Sequence, residues 1–460
     1  MKFFKNIALF GLAIGLFACE EQLELQPFQS LSTTEALNSV DNMRVAVNGA
    51  YDALQGLNYY GRDFQVQADV EADMVYIAIG NSNRFILNYT YDWNQDSEGG
   101  IFDDAYRVIL RANNVINNID ALEGNQTRKD QIKGEALAIR ALAHFDMVRL
   151  YGAMPSQGNP SSDLGIPIIL EAQITEPPRN TVAEVYNQVI ADLNAAKGLL
   201  GDNGTFNFSS DAVDALLARV HLYRGNYNEA VTAASAVINS GNYALADDFT
   251  SIFGVPGTSS EEIFTLRFTA AENRGSDNLG SIYNPDSYGD IRPSNDYFDL
   301  FEDGDQRGTM VYSTVKGGTE DIFQSKFLSQ DGIPGLHSPR ILRFAEMYLI
   351  RAEANWRLGN TADAADDLNT LRTARGASEI TADDVDAPFI MNERLREYAF
   401  EGHAKFDYYR LGVDIVRDQC LTGEQITSPC TIAVTNPMMI YPIPQYEMLV
   451  NQAMVQNPGY

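Results

Sequence analysis

The stretch Gly134-Glu-Ala-Leu-Ala-Ile-Arg-Ala-Leu-Ala-His-Phe-Asp-Met-Val-Arg-Leu-Tyr-Gly152 decides the fold class. Leu137, Ala141, Phe145 and Val148 recur at steps of three and four, which lays them along one stripe of an α-helix. The pattern predicts a helix over 131–151, with Gly152 just past its end as a left-handed cap. Upstream, the same spacing places Val40, Met43, Val47, Ala50, Tyr51 and Leu54 on one face, and Tyr106, Ile109, Leu110, Val115 and Ile116 on another. Downstream, Thr181 followed by Glu184 forms a capping box, and Val182, Val185, Val189 and Leu193 supply the stripe behind it. The chain is therefore predicted to be mainly α.

Residues 210–243 read as a helical hairpin that turns at Arg224-Gly225-Asn226-Tyr227. A second copy over 344–372 turns at Trp356-Arg357-Leu358-Gly359-Asn360, which makes Trp356 a junction residue of the core. Two such hairpins, well separated, suggest a tetratricopeptide-like scaffold carrying insertions. The segment 247–339 is different in kind. It is rich in Gly, Pro, Ser, Asn, Asp and aromatic residues, with short β-like runs such as Ile263-Phe-Thr-Leu-Arg-Phe268. Loops this long inside a compact chain are more often functional than decorative.

At the start of the chain, Lys2 and Lys5 precede an apolar run from Ile7 to Ala18, and Leu16-Phe17-Ala18-Cys19 closes it. This is a secretory signal, about 18 Å long as a helix and too short to span a hydrocarbon core. A cysteine at the cleavage point is similar to a bacterial lipobox, so residues 1–18 are expected to be removed and Cys19 lipidated. Residues 19–30 would then form a tether, and 31–460 a single domain.

The chain holds 33 basic and 62 acidic residues, a net charge of −29. Such a balance repels phosphate backbones and anionic lipid surfaces, so nucleic acid is excluded as a partner and membrane contact should rest on the lipid. Three cysteines occur. Cys420 and Cys430 lie ten apart beside Gly423 and Pro429, and either form a disulfide outside the inner membrane or remain two buried thiols.

In its order of motifs the chain resembles the SusD/RagB family of Bacteroidetes surface lipoproteins. The resemblance runs through the 134–152 stretch, Arg179-Asn-Thr-Val-Ala-Glu-Val-Tyr186, Ala215-Leu-Leu-Ala-Arg-Val220, Arg292-Pro-Ser294 and Asp305-Gln-Arg307. It continues through Glu346-Met-Tyr-Leu-Ile-Arg-Ala-Glu353, 392–412, Tyr441-Pro-Ile-Pro-Gln445 and Gln456-Asn-Pro-Gly-Tyr460. It implies a mainly α, SusD-like fold: a tetratricopeptide-like helical hairpin scaffold with long irregular loop insertions and a few short β-strands. It also implies a glycan or oligosaccharide ligand and a partner SusC-like TonB-dependent outer-membrane transporter. A peptide cargo, or a ligand-free lid on the transporter, are the alternatives. Glu20-Glu21 after the cysteine resembles the surface-export signal of such lipoproteins.

No nucleophile elbow, zinc helix, phosphate loop or dinucleotide glycine pattern occurs, so neither catalytic residues, metal nor cofactor are expected. The four histidines, His144, His221, His337 and His403, are scattered and are read as packing residues. Carboxylates such as those of Glu302-Asp303-Gly304-Asp305 are read as a solvated turn. A hydrolase would need two opposed carboxyls, which sequence does not display. A glycan site instead mixes rings with planar hydrogen-bonding side chains. Two segments have that mixture, within loop-rich regions around 55–100 and 247–339. They nominate Trp93 as a stacking platform, together with Tyr59, Tyr60, Tyr89, Tyr91, Tyr283, Tyr288 and Arg292.

Overall fold

The computed structural model describes residues 36–97, 99–173, 175–420 and 428–460. Cys19, the signal segment and the 19–30 tether lie outside them. In chain order the first half contains α1 (Val40–Leu54), α2 (Asp63–Val70), β1 (Val75–Ile77), α3 (Ile86–Thr90), α4 (Gly100–Asn118), α5 (Gln126–Tyr151), α6 (Val182–Lys197), α7 (Ser210–Arg224) and α8 (Tyr227–Asn239). The irregular region follows with β2 (Glu262–Thr265), β3 (Ile291–Pro293), α9 (Asn295–Phe298), β4 (Val311–Lys316), β5 (Thr319–Gln324), β6 (Ser329–Gln330), β7 (Ile333–Pro334) and β8 (Arg340–Arg343). Helices return as α10 (Phe344–Arg357), α11 (Thr361–Ala374), α12 (Ala387–Tyr398) and α13 (Ala404–Leu411). Then come β9 (Ile415–Val416), β10 (Thr431–Ile432) and α14 (Gln445–Val450).

The helices stack as neighbours: α1 on α4, α4 on α5, α5 on α6, α6 on α7, α7 on α8, α8 on α10 and α10 on α11. The helix ends obey local chemistry. The Ser39 side chain caps α1 by accepting from the Asn42 amide, and Thr181 and Glu184 form the expected capping box on α6. The two hairpin turns are alike, with Gly225 at φ 85° and Gly359 at φ 83°, a left-handed conformation that suits glycine. Trp356 is partly buried against the core at the second turn, under the Arg357 guanidinium.

Helix α5 departs from the reading of a one-sided stripe. From Gly134 to Tyr151 nearly every residue is buried, because α1, α4 and α6 surround it. A helix covered on all sides must pair the charges it carries. Arg140 forks onto Asp192 at 2.7 and 2.8 Å, Glu135 receives both ends of Arg44, and Asp146 accepts from Tyr59, Tyr60 and Arg149. Gly152 is extended at φ −120°, not left-handed. Its glycine answers a close approach, since a Cβ there would stand 2.9 Å from the Val148 carbonyl oxygen and 3.3 Å from Gly165 Cα.

A buried ionic network joins the irregular region to α10, α11 and α12. Arg343 donates to Glu397 at 2.9 Å and to Glu401 at 2.9 Å, and Arg375 donates to Glu397 at 2.9 Å and Glu261 at 2.7 Å. Arg307 bridges Asp305 and Glu393, each at 2.7 Å. Glu302 and Asp305 of the acidic turn are therefore occupied by Arg372 and Arg307. The strands form two-stranded antiparallel pairs, and one of them, β1 with β3, positions the site.

Candidate functional site

Val75 pairs with Pro293, Tyr76 with Arg292 and Ile77 with Ile291. This short ladder brings the two loop-rich regions of the chain, around 55–100 and 247–339, into one structure. The β4/β5 hairpin packs β5 on β3. Its strands pair from Val311↔Gln324 to Lys316↔Thr319, leaving Gly317-Gly318 as a two-residue turn with both φ positive, at 62° and 88°. That geometry is the primed turn whose twist matches the strands, and two glycines adopt it without strain.

Between β1, β3 and the hairpin lies a cavity of about 450 Å³. Its wall includes Tyr76, Ile79, Arg292, Lys316, Asp321 and Gln419, and no residue of the stacked helices. Asp321 ties the wall together: it accepts from the Tyr76 hydroxyl at 2.7 Å and pairs with Arg292. Arg292 also lies over the Phe323 ring, 5.0 Å from its centroid, and its Nε donates to the Gly289 carbonyl. Lys316 Nζ donates to the carbonyls of Pro285 and Ser287 at 2.7 and 2.8 Å. Gln419 is held by the amide of Asn295, which donates to its Oε1 at 2.8 Å. Burial, followed by the neighbouring Arg292, lowers the Lys316 pKa, and burial raises that of Tyr76. Ile79, 61% exposed, offers an apolar surface at the rim.

The aromatic residues nominated from sequence sit elsewhere. Tyr59, Tyr60, Tyr89, Tyr91, Trp93 and Tyr283 are between 0% and 9% exposed. A ring covered on both faces offers none to a sugar, so these six pack the protein and do not form a platform. Tyr59 and Tyr60 converge on Asp146, and burial raises both hydroxyl pKa values. Trp93 packs on Tyr91 and Tyr441, and Tyr283 on Phe327 and Phe400. Tyr89 acts behind the cavity: its hydroxyl donates to the Gln419 carbonyl at 3.0 Å, and Arg417 stacks on its ring while donating to the carbonyls of Val70, Ala72 and Tyr89. Tyr288 is half-buried under the Arg84 guanidinium, 4.2 Å from its centroid. Arg292 alone of the eight lines the cavity.

Sequence reading missed Tyr76, Lys316, Asp321 and Gln419. Tyr76 sits in a three-residue strand, and the other three are polar residues that composition does not distinguish from any loop. Cys420 and Cys430 are joined by a disulfide, next to Gln419. Burial lowers the pKa of all four histidines, that of His144 to about 3, which keeps them neutral and suits packing. Among the described residues no group of three His, Cys, Asp or Glu side chains is placed to hold a metal ion.

Two family models match the chain: one described as "Starch-binding associating with outer membrane" over residues 21–222, the other as "SusD family" over 323–460. The chain is similar to SusD-like protein P38 of Formosa agariphila, 25% identical with 100% of both chains covered. Among solved structures it is similar to a SusD superfamily protein of Bacteroides thetaiotaomicron, with TM-score 0.85 and 28% identity over 91% of this chain and 100% of that one. It is also similar to a SusD-like carbohydrate binding protein of Bacteroides vulgatus, with TM-score 0.79 and 25% identity over 91% of this chain and 97% of that one.

Proposed function

The chain belongs to the SusD/RagB family, and from that membership we propose that it captures a glycan at the outer membrane and delivers it to a SusC-like TonB-dependent transporter. Capture is reversible binding, with no bond made or broken. The observation that carries this reading is the cavity between β1, β3 and the β4/β5 hairpin. It lies where the two loop-rich regions meet, and its guanidinium, ammonium, carboxylate and amide groups suit the hydroxyls of a sugar. Its volume falls in the range of small-ligand sites, roughly 300–1,000 Å³, enough for a few sugar rings of a longer chain.

Attachment would come from the lipid on Cys19. Among the described residues no helix is long and apolar enough to cross a membrane. A 31–460 domain tethered through residues 19–30 would lie over a barrel mouth and face outward.

Affinity electrophoresis of the soluble form, residues 20–460, through gels containing one polysaccharide each tests the reading. Retardation by a polymer, lost in a folded Gln419→Ala or Arg292→Ala variant, is expected. Retardation that neither substitution alters would sink the cavity as the site. Absence of retardation by every polymer would favour a ligand-free lid or a peptide cargo.

A further inference from the structure

We propose that the cavity selects an anionic glycan, with Lys316 and Arg292 receiving a uronate carboxylate or a sulfate ester. This inference deepens the glycan-capture reading and rests on it. Neutral sugars are held chiefly by exposed rings that cover their C–H faces. Among the described residues the one ring on the wall is Tyr76, half-buried, with its hydroxyl committed to Asp321. The other nominated rings are packed away, Tyr288 beneath Arg84. Apart from Ile79 at the rim, binding at this wall therefore rests on its polar groups.

Those groups are unevenly engaged. An ammonium has three donors, and Lys316 uses two of them on the carbonyls of Pro285 and Ser287. Among the described residues it has no carboxylate within ion-pair distance. Arg292 spends Nε on Gly289 and Nη1 on Asp321, while Nη2 has no hydrogen-bond partner among the described residues. The acids nearby lie beyond ion-pair distance of Lys316, although Asp290 and Asp286 still favour its charge. Asp321 is shared by Tyr76 and Arg292, Asp290 accepts from the amide and hydroxyl of Ser82, and Asp286 lies exposed on the turn before Ser287. What the wall still offers is cationic donors, and an anion satisfies them through charge-assisted hydrogen bonds, which are roughly twice as strong as neutral ones.

The rest of the molecule sharpens the selection. At −29 the chain as a whole repels polyanions, so an acidic polymer gains only where a local cation reaches it. A single wall of this kind discriminates a charged sugar from its neutral counterpart, as a site built for one group rejects the analogue lacking it.

The test is affinity electrophoresis of the soluble form with matched polymers: polygalacturonate against methyl-esterified pectin for the carboxylate, and carrageenan against agarose for the sulfate. Dextran and laminarin serve as neutral glycans. Retardation by one acidic member and not its neutral match is expected, weakened about ten- to hundredfold in Lys316→Met and reduced at high salt. Circular dichroism of Lys316→Met confirms its fold, and Lys316→Arg should recover binding. Retardation by neutral polymers alone, or acidic binding indifferent to Lys316→Met, overturns the proposal and leaves glycan capture standing. Retardation by no polymer counts against both.

Discussion

Trp93 donates its indole N–H to the Tyr460 hydroxyl at 2.8 Å, across 367 residues of sequence. Tyr460 in turn donates to the Ile440 carbonyl at 2.8 Å, so a loop tryptophan fastens the far segment to the domain. Its ring is enclosed by Tyr91, Tyr441 and Lys405. Trp93→Ala should therefore destabilise the protein by about 3–5 kcal/mol, the usual cost of emptying a large core site, while ligand affinity of the folded fraction is unchanged. Urea denaturation alongside binding checks this. Loss of binding at full stability would return Trp93 to the ligand.

Arg343 sits between Glu397 and Glu401 with no exposed surface. Arg343→Met should cost about 3 kcal/mol, because two buried carboxylates each lose one of their cations, Glu397 keeping Arg375 and Glu401 keeping Lys326. Adding Glu397→Gln should recover part of that loss, since the two effects are coupled.

The same network sets behaviour in acid. At Glu397 burial alone would raise the pKa, but Arg375 and Arg343 outweigh it and hold the carboxyl below its ordinary value. Glu393 is lowered in the same way by Arg307, Arg396 and Arg372 against its burial. A depressed carboxylate contributes stability that is present above its unfolded pKa, about 4.3, and lost as pH falls through the folded one. Thermal melts should therefore drop steeply below about pH 4.3. In Arg343→Met the drop should be shallower, and an unaltered slope would show that these carboxylates do not set it.

Asp73 titrates in the opposite sense. Burial raises its pKa to about 6 against the hydrogen bond it accepts from Tyr408 at 2.5 Å. The folded state holds that proton, so its contribution to stability is full below the ordinary aspartate value of 3.8 and fades as pH rises toward about 6. Asp73→Asn keeps the acceptor for Tyr408 and removes the titration. The variant should melt higher than the parent at pH 7.5 and equal it near pH 3.5; the same gap at both values would contradict the assignment.

The Cys420–Cys430 disulfide closes a short loop directly after Gln419. Cys430→Ser should cost about 2–3 kcal/mol, as expected for a loop of this length. It should also weaken ligand binding, because Gln419 loses the staple beside it and keeps only its bonds to Asn295 and Tyr89. Binding equal to the parent would separate the staple from the site.

The helical scaffold was legible because α1, α4, α6 and the two glycine-turned hairpins have one apolar stripe each, and a stripe is what periodicity detects. Helix α5 was found for the same reason, although its burial on all sides was not. That follows from neighbours supplied by α1, α4 and α6, which no local pattern records. The candidate site was legible only as a region. Rings in polar loops marked two regions that also line the cavity, yet Trp93 and Tyr283 face inward there, since loops this long build small cores of their own. Lys316 and Gln419 became meaningful once pairing set them beside Arg292, and only the fold reports that pairing.

The β4/β5 hairpin supplies Lys316, Thr319 and Asp321 to the cavity, and it reaches the domain through β3, the Asp321 contacts, the Lys316 bonds to Pro285 and Ser287, and the buried Val311, Phe323 and Gln324 at its base. It stands outside the helix stack and takes no part in the ion pairs of Arg343 and Arg375. Its tip can therefore drift in sequence at little cost to foldability. A lineage meeting a new polymer could exchange the hairpin's tip, 313–320, retuning taste while inheriting the chassis intact.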